Sequence, residues 1–230
     1  STGISNDLAA IAQVVKDEFH KLLLVDAVSS VGCIPLATDK WKVDVVATAT
    51  QKGLMTPPGI SIVAVSPQAW EAHQIASMPR SYFDFSQAWN YLERGQTPWT
   101  PSVSVLCGLD VALQQLIDEG LQEAFQRHAK IGAITRNGVK DLGLELFAHD
   151  RWISDTVTAV KIPPGIDGAK LVERLRKEYN IILGGGQQGL QGKIFRIGHM
   201  GYCFEPEIQE VLDVLGKVLP EMGFSAARSQ

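Results

Sequence analysis

The chain has no long apolar run. None of its apolar stretches approaches the roughly 20 residues a helix needs to span a bilayer, and the longest, around Leu22 to Val28, reads as a buried strand. Basic runs are missing too. Lys and Arg number 21 against 25 Asp and Glu, and the net charge of −4 argues against nucleic acid as a main partner. Cysteine is scarce: Cys33, Cys107 and Cys203 are odd in number and widely spaced, which excludes a disulfide framework and a C-x-x-C metal pair. They read as core-filling thiols in a reducing cytoplasm. The five histidines are scattered, none three or four residues from another, and no metal site is expected. Repeats, low-complexity tracts and an initiator methionine are lacking, and no signal peptide is expected from these residues. The sequence opens on Ser1-Thr2-Gly3-Ile4-Ser5 and runs almost at once into a helix, as a chain begun in mid-fold would.

What is present suffices for a large core: 230 residues, 45% of them apolar, in one or two domains. Ser5 or Asn6 can cap a helix whose apolar face is Leu8, Ile11, Val15 and Phe19. The runs Leu22–Val25, Val43–Ala49 and Ile60–Val65 are continuous rather than alternating, as strands covered on both faces are. Ser66-Pro67 starts a short helix. These pieces predict an α/β layer with a mainly parallel sheet. From Val103 to about Gly143 the period is helical, through Val105, Leu109, Leu113, Leu116 and Leu121, with a break at Gly120. Beyond it the sequence predicts a strand over 156–162, a helix begun by Asp167, strands at 181–183 and 193–197, and a last helix from Glu205 to Leu219. This half is a compact α+β unit. The boundary is placed near 120, giving domains 1–120 and 121–230.

Two residues stand out chemically. Lys52 follows the apolar run Val43–Ala47 in Thr50-Gln51-Lys52-Gly53, an odd place for a solvating charge. Asp26 ends the run Leu22–Val25 and precedes the small-residue turn Ala27-Val28-Ser29-Ser30. Both fall at the carboxyl ends of strands, where open α/β sheets bind ligands. A surface turn and a plain ion pair remain open readings. A desolvated amine that forms a Schiff base, beside a carboxylate that keeps a ring nitrogen protonated, is the other.

Val25-Asp26-Ala27-Val28-Ser29-Ser30, Thr50-Gln51-Lys52-Gly53-Leu54 and Pro57-Pro58-Gly59, in that order, resemble the class V aminotransferases that use pyridoxal 5′-phosphate. The nearest likeness is to the alanine–glyoxylate and serine–glyoxylate branch. Gln96-Thr97-Pro98-Trp99-Thr100-Pro101-Ser102-Val103 is similar to that branch's loop before its long helix, and Lys193-Ile194-Phe195-Arg196-Ile197-Gly198 to its substrate-carboxylate strand. The resemblance implies aminotransferase fold type I: the second half of the large cofactor-binding domain, then the small C-terminal domain. It implies that Lys52 forms the Schiff base and shuttles the proton between Cα and the cofactor. It implies that Asp26 pairs with the pyridine nitrogen and that Val28 packs on the ring. Gln51 and Ser1 would bond the phosphate or the ring hydroxyl. Thr100 would reach the phosphate in a partner subunit, making the enzyme a homodimer, although it also suits a helix cap near Pro101. Arg196 would fork the substrate carboxylate. Gly184-Gly185-Gly186 could cradle a ligand or simply turn the chain, and Trp99 and Tyr202 could line a substrate mouth or serve in the core or an interface.

In the family, the glycine-rich phosphate segment and the ring-stacking aromatic lie upstream of the Ser-Thr-Gly segment, which here is residue 1. The chain therefore resembles roughly the C-terminal 60% of a full-length member, and a second piece supplying the remainder is expected. The implied activity moves an amino group from serine or alanine to glyoxylate or pyruvate. A cysteine desulfurase is the rival within the fold, with Cys203 as its thiol, but that subgroup has histidine where Gln51 stands. Outside enzymes, a non-catalytic subunit of the kind named soluble hydrogenase subunit is the other reading; three isolated cysteines cannot hold an iron–sulfur cluster. The C-terminal Ala-Ala-Arg-Ser-Gln is no peroxisomal address, so cytoplasm is expected.

Overall fold

The computed structural model describes residues 1–225; the C-terminal pentapeptide, on which the peroxisomal reading turned, lies outside them. The chain forms two compact units. The first is built from Ala9–Val28 and Ala37–Gln114, the second from Ser1–Leu8, Ser29–Leu36 and Gln115 onward.

In the first unit, α1 (Leu8–Ala12) passes into a π-helical segment, Gln13–Glu18. Phe19 N–H bonds the Val14 carbonyl and Lys21 N–H the Val15 carbonyl. A π turn takes more residues than an α turn, so a stripe drawn at 3.6-residue spacing rotates out of register. The expected face is only partly kept: Leu8 and Val15 are half-buried with Ala12 fully covered between them, Ile11 on α1 is exposed, and Phe19, beyond the π segment, is exposed as well. The segment is tied down instead by charge. Lys16 Nζ lies 2.6 Å from Asp44 Oδ2, and Asp44 also accepts from Leu23 N–H (2.7 Å) and Ser66 Oγ (3.0 Å).

Three strands come next: β1 (Leu24–Asp26), β2 (Val45–Ala49) and β3 (Ser61–Val65), in that spatial order. β1 and β2 pair in parallel, whereas β3 is antiparallel to β2, so the sheet is mixed. The connection over 50–60 is a turn, too short for the crossover a parallel return needs. Ser66 Oγ accepts from Ala69 N–H and, with Pro67, starts α2 (Pro67–Ile75). Asp84 caps α3 (Phe85–Leu92), a helix not expected from the sequence, and α4 (Val103–Glu119) closes the unit and enters the next.

The second unit packs helices on a small sheet. α5 (Leu121–Asp141) begins after Gly120, whose φ of 89° breaks the helix there. β4 (Val157–Lys161), β5 (Gly184–Gly185) and β6 (Ile194–Gly198) pair antiparallel in the order β4-β6-β5. α6 (Gly168–Tyr179) is capped by Asp167, which accepts from Ala169 and Lys170 N–H, and α7 (Glu205–Glu221) completes the cover. Val160, Leu171, Leu175, Phe195, Ile197 and Leu215 fill the core. The strand expected at 181–183 is displaced. Ile181 and Leu183 are buried and Ile182 exposed, as in a strand, but the ladder with β6 forms only at Gly184–Gly185. The alternation reports which side chains point inward; pairing needs a neighbouring edge. Residues 3–5 run alongside 152–154, with Ser154 N–H to the Gly3 carbonyl and Ser5 N–H to the Trp152 carbonyl.

Candidate active site

The parallel register sets Leu24 against Val45, Val25 against Val46 and Asp26 against Ala47. Both strands therefore end on the same edge, and the turns that leave them start there side by side. Ala27 N–H extends the ladder by one bond to the Ala47 carbonyl (2.8 Å). The Asp26 carboxylate then accepts from Val28 N–H at 3.0 Å, an Asx turn that fixes the direction of an otherwise exposed acid. Val28 is half-buried.

Beyond β2 the chain makes an anchored turn. Thr50 is fully buried; its N–H bonds the Ile60 carbonyl, its carbonyl accepts from Thr56 N–H, and its hydroxyl donates to the Pro57 carbonyl. Met55 N–H closes on the Lys52 carbonyl at 3.0 Å, and Gly53 and Leu54 are buried beneath. Lys52 is thus a half-buried amine on a turn held at both ends, with Gln51 exposed beside it. Pro57-Pro58-Gly59 returns against α4: a side chain at Gly59 would meet Val105 and Ser102 at 3.2 and 3.4 Å. Thr100 is exposed, three residues ahead of α4. The helix begins at Val103, so Thr100 is not its cap.

Ser1 and Arg196 belong to the second unit. Ser1 is exposed. Arg196 stands in the middle of β6 between buried Phe195 and Ile197, and its Nε donates to the Gly185 carbonyl at 2.9 Å. The structure thus gathers Asp26, Val28, Gln51, Lys52 and Thr100 on one unit and Ser1 and Arg196 on the other.

A polar cluster that sequence reasoning missed lies in the second unit. Arg127 grips Glu119 with two bonds (2.5 and 2.8 Å) and donates from Nη1 to the carbonyls of Gly201 (2.8 Å) and Cys203 (3.3 Å). That pairing holds the Glu119 carboxyl below its usual range and Arg127 above. His128 is buried; Nδ1 meets the Ala124 carbonyl and Nε2 accepts from Gly201 N–H. These partners select the neutral tautomer protonated at Nδ1, and burial holds its pKa below the ordinary histidine value. Burial also pushes the His199 pKa down to about 4 and the Cys33 thiol up to about 11. A signal existed: Ala124, His128, Ile131, Thr135 and Val139 form one buried stripe of α5, so His128 sits where an apolar residue is expected. Of the three thiols expected in the core, Cys33 is buried there, Cys203 is half-buried and Cys107 is exposed. Among the described residues, no helix is long and apolar enough to cross a membrane.

A mixed sheet that presents a lysine-bearing turn and an aspartate on one edge, joined in sequence to a small α+β unit with an arginine on its central strand, defines the fold type I aminotransferase architecture. The chain belongs to the class V aminotransferases: the model of that family, Aminotransferase class-V, matches residues 1–203. It is 39% identical over 227 residues to the serine–glyoxylate aminotransferase of Arabidopsis thaliana, covering 97% of this chain and 57% of that one. It is 40% identical over 225 residues to the soluble hydrogenase small subunit of a Synechococcus strain, covering 98% and 58%. Among solved structures, the alanine–glyoxylate aminotransferase of a Nostoc species superimposes with a TM-score of 0.89 at 33% identity, covering 95% of this chain and 59% of that one. The chain therefore spans less than two thirds of the length of these relatives.

Proposed function

We propose that the protein is a pyridoxal-phosphate transaminase that moves an amino group from serine or alanine to glyoxylate or pyruvate. The observation that carries this reading is the delivery of Lys52 and Asp26 to one edge by paired parallel strands, in a chain of this family. A primary amine, an oriented carboxylate, an apolar side chain and an amide are the donor set a phosphorylated pyridine aldehyde calls for. When bound, that cofactor supplies an aldehyde for amines and a ring that accepts the electron pair of the substrate's Cα–H bond.

The chain's own residues do the rest. Lys52 would hold the cofactor through its amine and would move the proton at the substrate's Cα. Asp26 keeps a proton on the ring nitrogen, which makes the ring a better electron acceptor. Val28 packs against the ring. Gln51 and Ser1 bond the phosphate or the ring hydroxyl, and Thr100 reaches the phosphate of a partner subunit in a cytoplasmic homodimer. Arg196 offers a planar fork to the amino-acid carboxylate.

Two observations weigh against a cysteine desulfurase: Gln51 precedes Lys52, and burial raises the Cys203 thiol, which makes a poor nucleophile. The hydrogenase name of one relative favours a second reading, a subunit without catalysis. One experiment separates the two. Borohydride added to the purified protein with its cofactor should fix the cofactor on the Lys52 peptide, and Lys52→Ala should lower serine–glyoxylate and alanine–glyoxylate turnover at least about a hundredfold. Normal turnover in K52A would remove the proposed chemistry. Cofactor that never attaches, in a protein with no turnover, would favour the subunit.

A further inference from the structure

β5 is only Gly184 and Gly185, with Gly184 opposite Arg196 and Gly185 opposite Phe195. The Arg196 Nε bond to the Gly185 carbonyl engages one side of the guanidinium and leaves the Nη1/Nη2 edge, the end-on fork for a carboxylate. A methyl built on Gly184 would lie 3.2 Å from Nη2, 3.3 Å from Nε and 3.4 Å from Cζ. The Nε–Cζ–Nη2 side of the guanidinium therefore lies against the space where a side chain at 184 would begin. No other atom comes as close to that position, and the φ of Gly184 lies outside the left-handed region. The glycine is there for the arginine, not for the backbone. Its neighbours differ: a methyl at Gly186 would strike the Leu190 carbonyl oxygen at 2.0 Å, and one at Gly185 or Gly189 would meet nothing within 4 Å.

We infer that Gly184 is a positioning residue for the substrate carboxylate. It gives the Arg196 guanidinium a seat at the sheet edge, while the Gly185 carbonyl fixes its rotation and aims the Nη edge. This rests on Arg196 receiving the carboxylate, as proposed above. A methyl at 184 lifts the guanidinium by a few tenths of an ångström and mis-aims two hydrogen bonds at once.

The test uses Gly184→Ala, Arg196→Lys, the double variant and Gly189→Ala in the purified protein. KM and kcat for alanine and serine are measured with saturating glyoxylate, and the Kd of propionate, an unreactive carboxylate, by calorimetry. G184A should raise KM and the propionate Kd about tenfold while kcat at saturating donor stays within about twofold. G189A should match the parent. The double variant should be no worse than R196K, because the group that needs the seat is gone. If R196K weakens binding and G184A does not, the seat is refuted and the reading of Arg196 stands. If R196K changes neither constant, the carboxylate reading falls first. If G184A does not fold, the double variant decides: recovery with R196K supports the contact, and continued misfolding overturns it.

Discussion

His199 is a neutral histidine inside the second unit, and its burial has a cost that depends on pH. Its Nε2 shares a 2.9 Å hydrogen bond with Thr158 Oγ1, and the Arg136 charge, His128 and the backbone of Asp155 bear on the ring. Burial, then the Arg136 charge, brings the folded-state pKa down from the ordinary 6.5 to about 4. Below the unfolded value the unfolded chain binds a proton that the folded chain refuses. Stability is therefore fully present above pH 6.5 and is lost as pH falls toward 4, by about 3 kcal/mol in the limit. His128, lowered for the same reason, adds to the slope. The urea midpoint should drop steeply between pH 7 and pH 5, and His199→Asn should flatten that dependence; a parent midpoint that stays level sinks the argument. None of this was readable beforehand, since a lone histidine between Gly198 and Met200 carries no period and no partner in the sequence. Lys52 and Asp26 were readable for the opposite reason: each ends an apolar run, where a charge has to be explained.

Arg127 acts on whole elements. From α5 it reaches back to Glu119 at the end of α4 and forward to the Gly201 and Cys203 carbonyls in the loop that leaves β6. His128, the next residue, takes Gly201 N–H, so two successive side chains hold one loop by its main chain. The Phe204 ring under the guanidinium, 5.1 Å from Cζ, adds a cation–π contact. Arg127→Ala leaves a half-buried carboxylate and two carbonyls without their donor and should cost about 2–4 kcal/mol. In a double-mutant cycle with Glu119→Ala the losses should fall short of additive by about 1 kcal/mol or more; strict additivity in urea titrations would show that the pair does not act as one. At this scale, elements with local signals were readable: Ser66-Pro67 before α2, Gly120 between α4 and α5, Asp167 before α6. The π segment and β5 were not. The π segment holds the Lys16 that pairs with distant Asp44, and β5 forms on an edge that β6 provides; neither contact is local in sequence.

Across the molecule, apolar surface is left uncovered in the first unit. Leu24 on β1 and Ile62 and Val63 on β3 are exposed on strands whose sequence reads as covered on both faces. That mismatch is physical information, because a run patterned for burial that lies open marks a face meant for other chain. Farther along, Ile75 (86%), Met78 (78%) and Phe83 (84%) stand in solvent, and Tyr82 stacks on exposed Trp99 at 5.1 Å between centroids. Exposed aromatic and methionine side chains are the residue types that interface centres favour, and Phe83 and Trp99 both contact Tyr82. The homodimer proposed above would cover such surfaces. The 230 residues produced by themselves should therefore self-associate at micromolar concentration, in light scattering and in sedimentation. Phe83→Ser together with Ile75→Glu should reduce that association without lowering the unfolding midpoint, since neither side chain is packed in the core. A monodisperse monomer of the unsubstituted 230 residues, with a cooperative unfolding transition, would mean that these faces need no partner and that the strand pattern was misread.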